Sequence, residues 1–383
     1  MRAFAAGQAL SYTNWRLLIV LTLLSAAPIT GSAQRLGVSV EALVQGADVT
    51  YGPIGAVLPL RAGRVAVAFP QERVVRLFSP TGALLSETGQ RGSGPADFAT
   101  LSAFGIHPAG FWVFDRNNAR FALLTVGGKP NRVFPMPTAI RPLNPTGGEF
   151  NLLAVHGVGA GDTVLVRVQR RAPLAAGRYE ALFLMSPAGQ LFQELMRIPA
   201  DPCFQEATVE GQLASIRIPF CVGALFAVSP DGLRMATMKV EQVPSRRACL
   251  SRRVVGLPTA NQETCWPISV RAVTDQERDS ARAELIAKAP HPDLKRAAAN
   301  LTGFPATHPP YRRMLMGDDG WVWLEAPPSL ETRTWVLLDA VGKRVAEVVL
   351  PKGVELRAVS RMLAWGVRSA EDGTEDLVRV VVQ

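Results

Sequence analysis

An echo at a spacing of 47 residues is the feature that most restricts what this chain can fold into. An apolar stretch over 57–60 is followed by Arg61-Ala62-Gly63-Arg64, apolar runs over 65–69 and 73–78, the turn Ser79-Pro80-Thr81-Gly82, and Leu84-Leu85. The same order returns as Phe104 and Ile106, Pro108-Ala109-Gly110, runs over 111–114 and 120–126, and Gly127-Gly128. Gly63 thus maps onto Gly110 and Arg73 onto Arg120. Each run has the length of a strand, and each gap carries residues that set turn geometry.

Looser copies follow. A third contains runs over 163–168 and 179–185 and the turn Ser186-Pro187-Ala188-Gly189. A fourth has 225–228, Ser229-Pro230-Asp231-Gly232 and 235–240; a fifth has Asp318-Asp319-Gly320, 321–324 and 335–338. A sixth joins 362–367, Glu371-Asp372-Gly373 and 377–382. A small sheet with two apolar faces cannot bury both alone, so copies stack about an axis until the ring closes and no long edge is left open. The expectation is therefore an all-β fold, a six-bladed β-propeller forming a single domain over 34–383. A β-sandwich is the alternative that the same short strands would satisfy.

One stretch, about 274–303, breaks the strand pattern. Thr274-Asp275-Gln276-Glu277 has the form of a capping box, and Ala281, Leu285 and Ala289 share a helical face until Pro290 stops it. A second short helix is expected from Pro292 to Gly303. This helical insertion would fall between the fourth and fifth blades, as a buttress or, alternatively, a lid.

Two motifs carry a resemblance. Gly89-Gln90-Arg91-Gly92-Ser93-Gly94-Pro95-Ala96-Asp97-Phe98 resembles the connector of exported bacterial six-bladed β-propellers related to NHL-repeat proteins. Val113-Phe114-Asp115-Arg116-Asn117-Asn118-Ala119-Arg120 resembles a strand and turn of the same group, and Pro309-Pro310-Tyr311 through Trp323 and Leu363-Ala364-Trp365-Gly366-Val367 look like its late blades. The first blade departs from the pattern, with Ala68 where the strand's Asp would stand. The resemblance implies six blades and no established activity.

The N-terminus has Arg2 and Arg16, an apolar run over 17–27, and then Pro28, Gly31, Ser32 and Ala33. That is the layout of a secretory signal peptide, here 1–33 with cleavage after Ala33. The run covers roughly half of a hydrocarbon layer about 30 Å thick, which suits a signal h-region better than a permanent anchor; an uncleaved anchor, its helix beginning before Trp15, is the alternative. Export to the periplasm or the exterior follows. The four cysteines, Cys203, Cys221, Cys249 and Cys265, lie in the middle of the chain; in an exported protein an even count reads as disulfides. Three pairings are open, and the sequential one closes the shortest loops. A zinc site is disfavoured because no pair has ligand spacing and no histidine lies between 203 and 265.

The formal charge is +9, and removing 1–33 takes away only Arg2 and Arg16, so the remainder stays basic. The cations are scattered in ones and twos, whereas a groove that tracks phosphates wants them clustered among aromatics. Nucleic acid is therefore not an expected partner. His107, His156, His291 and His308 follow no metal spacing, no Gly-x-Ser-x-Gly elbow occurs, and Gly92-Ser93-Gly94 lacks the lysine and helix of a phosphate loop. Asp115 with Arg120 reads as turn capping rather than a ligand pair. Trp112, Trp321, Trp323, Trp335 and Trp365 are expected on strands, packing blade against blade.

No catalytic, cofactor or metal residues are assigned. The expected function is non-catalytic binding or scaffolding in the envelope or outside the cell by a monomer, with a protein, peptide or glycan as ligand. The alternative is a metal-dependent lactonase or lyase with a divalent ion in the central channel.

Overall fold

The computed structural model of the protein describes residues 34–46, 52–142, 149–171, 179–199, 203–241, 246–257, 262–327 and 331–383. The expected signal peptide lies outside them. Two N-terminal strands, β1 (Gln34–Arg35) and β2 (Val38–Val44), precede the first sheet, which contains β3 (Ala56–Pro59), β4 (Val65–Phe69), β5 (Val74–Phe78) and β6 (Leu84–Thr88). The second sheet has β7 (Ala103–His107), β8 (Gly110–Asp115), β9 (Arg120–Thr125) and β10 (Pro130–Pro135). The third has β11 (Glu149–Val158), β12 (Val164–Arg171), β13 (Tyr179–Met185) and β14 (Leu191–Pro199), and a hairpin of β15 (Phe204–Val209) and β16 (Gln212–Arg217) follows it. The fourth has β17 (Leu225–Val228), β18 (Arg234–Glu241), β19 (Arg247–Val254) and β20 (Gln262–Pro267). After the helices α1 (Asp275–Lys288) and α2 (Pro292–Ala299) come the fifth sheet, β21 (Arg313–Met316), β22 (Val322–Glu325), β23 (Thr332–Leu338) and β24 (Arg344–Pro351), and the sixth, β25 (Val354–Val359), β26 (Leu363–Ser369) and β27 (Glu375–Val382).

Within each sheet the strands lie in chain order and pair antiparallel. The first strands of successive sheets touch: β3 with β7, β7 with β11, β17 with β21, β21 with β25, and β25 with β3. They form the inner ring of a six-bladed β-propeller. The N-terminal β2 supplies the fourth strand of the sixth sheet by pairing antiparallel with β27, and β1 adds a parallel edge to β24. The sixth blade is thus assembled from both ends of the described chain.

Burial follows the same logic. Val65, Ala66, Val67, Ala68 and Phe69 of β4 are all buried, because both faces of the strand are covered. Six hydrophobic clusters separate the sheets. Val75 and Leu77 meet Phe111 and Val113 between the first two, and Trp112 and Phe121 meet Val166 and Phe183 between the next. Leu165 and Leu182 meet Met235; Met238 and Leu250 meet Met314 and Leu324; Trp323 and Trp335 meet Leu356 and Val378. The sixth cluster, with Val67 and Phe69 against Trp365 and Leu377, joins the last sheet to the first. A sandwich has one interface between two sheets; six interfaces in cyclic order define a ring.

At the rim where β17 turns into β18 the ring is tight. Ile106 donates its N–H to Pro230 O at 2.8 Å, which links the second and fourth sheets across the axis. A Cβ added to Gly157 would lie 3.0 Å from the Gly232 Cα, so the turn can press on β11 only because both positions are glycine.

The cysteines pair sequentially. Cys203–Cys221 clasps the base of the β15–β16 hairpin, and Cys249–Cys265 joins facing residues of β19 and β20. Helix α1 begins with the expected box, the Thr274 hydroxyl accepting from the Glu277 N–H while Glu277 accepts from the Thr274 N–H. Helix α2 stops at Ala299, short of Gly303. In chain order the pair lies between β20 and β21, but α2 packs on β15 and β16 rather than on either flanking sheet. It is therefore not simply a filler between the fourth and fifth blades. Trp321 stands just before β22 instead of on it. Replacing Cys203 and Cys221 by serine reopens a loop of 18 residues and should lower unfolding free energy by about 3 kcal/mol in urea titration; an unchanged midpoint would show that the helices alone hold the hairpin.

Candidate functional site

In an antiparallel sheet of four strands, the first begins, the second ends, the third begins and the fourth ends at one edge. The connection from each blade to the next therefore belongs to that rim. The two elaborate connections, the disulfide-clasped hairpin before the fourth sheet and the helical pair before the fifth, build up the same side of the ring. Below them lies a cleft of about 510 Å³ between the fourth and fifth blades.

Its floor is apolar, made by Leu225 of β17, Met238 of β18 and Tyr311, which immediately precedes β21. Tyr311 is buried and its hydroxyl accepts the Trp266 Nε1–H at 3.1 Å, with the two rings edge to face. Burial pushes the phenol above its ordinary range. Pro309 and Pro310 make one wall, stiff because both φ angles are fixed. Thr237, Ser251, Lys239 and Arg197 bring polar groups to the margin. Lys239 stands 3.4 Å from Glu263, while Arg197 pairs with Glu194 and lies over the Tyr179 ring. An apolar base with a few polar groups and two cations at its margin suits a ligand of mixed character.

The residues singled out from sequence do not converge on this cleft. Asp115 is fully buried and accepts from the N–H groups of Ala99, Thr100 and Asn118 and from Asn118 Nδ2. These bonds hold its carboxyl below the usual range in spite of burial. Arg120 donates to the carbonyls of Ser93, Gly94 and Asp97, and Phe98 is buried between the first two blades. The Gly89–Phe98 connector is a joint between blades, its carbonyls turned toward a guanidinium.

The four histidines are separate. His107 ends β7 near Arg132, and burial lowers its affinity for a proton. His291 caps α2, accepting the Asp293 N–H, and faces Glu210. His308 stacks edge-on against Phe220 and lies 3.3 Å from Glu277, whose carboxyl Arg271 holds well below its normal range. His156 of β11 has a buried Nε2 without a hydrogen-bond partner and its ring meets Phe226 edge to face. Among the described residues, the one group of three His, Cys, Asp or Glu side chains close enough to share an ion is Cys249, Glu263 and Cys265. Its two sulfurs are bonded to each other and are not free thiolates.

No protein-family model matches the chain, and no curated protein does. Solved structures of similar fold include a candidate exported protein of Bacteroides fragilis, with 9% identity, TM-score 0.47, and coverage of 91% of this chain and 95% of that one. A DUF4221 family member from Bacteroides vulgatus gives 10% identity, TM-score 0.46, and coverage of 91% and 99%. Virginiamycin B lyase from Staphylococcus aureus gives 12% identity, TM-score 0.41, and coverage of 91% and 100%. The class the fold defines is the six-bladed β-propeller. Among the described residues no helix is long and apolar enough to cross a membrane.

His156 generates a prediction. Burial, with the Arg167 guanidinium as a second cause, pushes its imidazole down to about 4. An unfolded imidazole titrates near 6.5, so between these values the unfolded chain binds a proton that the folded chain refuses. Stability should be full above about pH 6.5 and fall as pH drops toward 4, by up to about 3 kcal/mol. Denaturant titrations across that window should show this slope flattened in His156→Gln; an equal slope in the variant would place the proton elsewhere.

Proposed function

We propose that this is an exported binding propeller, periplasmic or secreted, that holds a protein or peptide partner against the rim bearing the two long connections and does no chemistry on it. In this reading residues 1–33 are a cleaved signal peptide, 34–383 act as a single monomeric domain, and nucleic acid is not a partner. The carrying observation is the cleft between the fourth and fifth blades, with its Leu225, Met238 and Tyr311 floor and its cationic margin. A rigid groove of that kind offers apolar area and orienting polar groups with little ordering cost on the receptor side. Two disulfides support the exported compartment, since such bonds persist where the surroundings are oxidising. A glycan is less well served, because the one aromatic ring among the described lining residues, Tyr311, is buried.

The metal-dependent lactonase or lyase reading draws no support from the described side chains, whose one candidate ligand group is a disulfide with a glutamate.

Peptides selected from a random library on the immobilised protein test the proposal. They should bind with micromolar dissociation constants, and Thr237→Trp, which places an indole in the cleft, should weaken them about tenfold or more while leaving the thermal melt unchanged. Binding unaffected by that substitution, or turnover of a defined substrate lost with it, would overturn the reading.

A further inference from the structure

A second feature of the same rim lies on the other side of the fifth blade, between it and the sixth. Glu325 ends β22 with its side chain fully buried. Its Oε1 accepts from Arg312 at 2.6 Å and from Arg333 at 3.0 Å, while its Oε2 is buried with no hydrogen-bond partner. Beside it Glu355 of β25 repeats the arrangement, its Oε1 lying 3.1 Å from Arg313 and 3.1 Å from Arg357. Arg313 also donates to Leu356 O across the blade boundary. Four guanidinium groups therefore share two carboxylates, each of which binds its pair through a single oxygen, and the cluster is left with an excess of two positive charges.

The backbone is shaped to make this meeting. Register along β25 jumps between Leu356 and Ala358, which leaves Arg357 as the extra residue of a β-bulge, the device by which a strand re-aims one side chain. Gly366 on the facing strand permits it: a Cβ there would lie 2.3 Å from Glu355 O. Glu325 and its two arginines form the fixed base. Arg313 and Arg357 keep 28% and 30% of their side chains in contact with solvent. Guanidiniums present a planar fork that matches a carboxylate, and like charges gathered beyond the number of their counterions are relieved when a further anion arrives.

We propose that this rim recognises the side-chain carboxylates of an acidic peptide, with Arg313 and Arg357 as the groups that meet them. The inference rests on the reading of this rim as the binding face. A peptide is favoured over an acidic glycan because the rings nearby, Trp335 and Trp323, are fully buried and offer a sugar nothing to stack on. Neither the cluster nor its excess charge is visible along the chain, because Arg312, Arg313, Arg333 and Arg357 are spread over three strands and their margins.

Calorimetric titration of the purified protein with hexaglutamate, hexaglutamine and tri-galacturonate tests this. Hexaglutamate should bind and hexaglutamine should not; affinity should fall as salt rises from 50 to 200 mM, as for any exposed charge pairing. Arg357→Gln should weaken hexaglutamate about tenfold, and Arg313→Gln should do the same. Lys343→Gln, which removes an exposed cation from the β23–β24 turn on the opposite rim, is the charge-matched control and should leave the affinity unchanged; a melt within about 2 °C of the parent for Arg357→Gln shows that the blade is intact. Absence of hexaglutamate binding, binding by both arginine variants as tight as the parent's, or binding of tri-galacturonate in its place would overturn the proposal. Library peptides that bind, respond to Thr237→Trp and ignore Arg357→Gln would leave the cleft reading standing and sink this one alone.

Discussion

The pairing of β2 with β27 is the constraint on which the rest depends. Each sheet has two apolar faces, so each is stable only when both neighbours are in place, and that condition can be met for all six only in a closed ring. Closure here is made by backbone hydrogen bonds in the register Val38 with Val382, Val40 with Val380 and Ala42 with Val378. Side chains reinforce the seam: Arg379 pairs with Glu41, the Gly46 N–H reaches Asp376, and the Ile54 N–H reaches Glu375. The first blade is attached there too, since the Gly82 turn packs so closely on Leu43 O that a Cβ would overlap it. Strand β2, with Gly46 and Ile54, thus holds the sixth blade against the first.

A ring fixed in this way has a consequence for recognition. Blade cores leave little freedom in the sheets, so variation is confined to the connections at the rim. One connection carries a disulfide-clasped hairpin and another a pair of helices that rests on it, and the cleft opens beside them. The opposite rim is drawn together where the Ser229–Gly232 turn meets β7 and β11. The two rims therefore differ in kind: one is joined across the axis by backbone contacts, the other is elaborated by long connections and patterned with charge.

Much of the architecture was legible in the sequence. The 47-residue echo follows directly from repeated strands of four to six residues, and it located β3–β5 and β7–β9 to within a residue or two. Turn chemistry at Ser79-Pro80-Thr81-Gly82 and Ser229-Pro230-Asp231-Gly232 marked real hairpins, and the capping box at Thr274 fixed the start of α1. The role of β2 was not legible: its partner stands more than 330 residues away, and no local pattern encodes such a pairing. The β15–β16 hairpin was missed for a related reason. Its burial alternates without a continuous apolar run, because it packs on helices rather than inside the ring. The binding features were hidden most completely. Tyr311, Met238 and Leu225 look like ordinary core residues, and the arginines of the fifth and sixth blades become neighbours only when the blades are placed side by side.

Hydrogen exchange read by mass spectrometry on Val40→Asp tests the central claim most directly. The substitution puts a charge into the β2–β27 seam, where Val40 packs against the core between the last two blades. If closure holds the ring together, exchange should accelerate in the first and sixth sheets and, to a smaller extent, in all the others. Faster exchange confined to β2 and β27, with the four middle sheets as protected as in the parent, would contradict the account and show that the blades stand without the ring being closed.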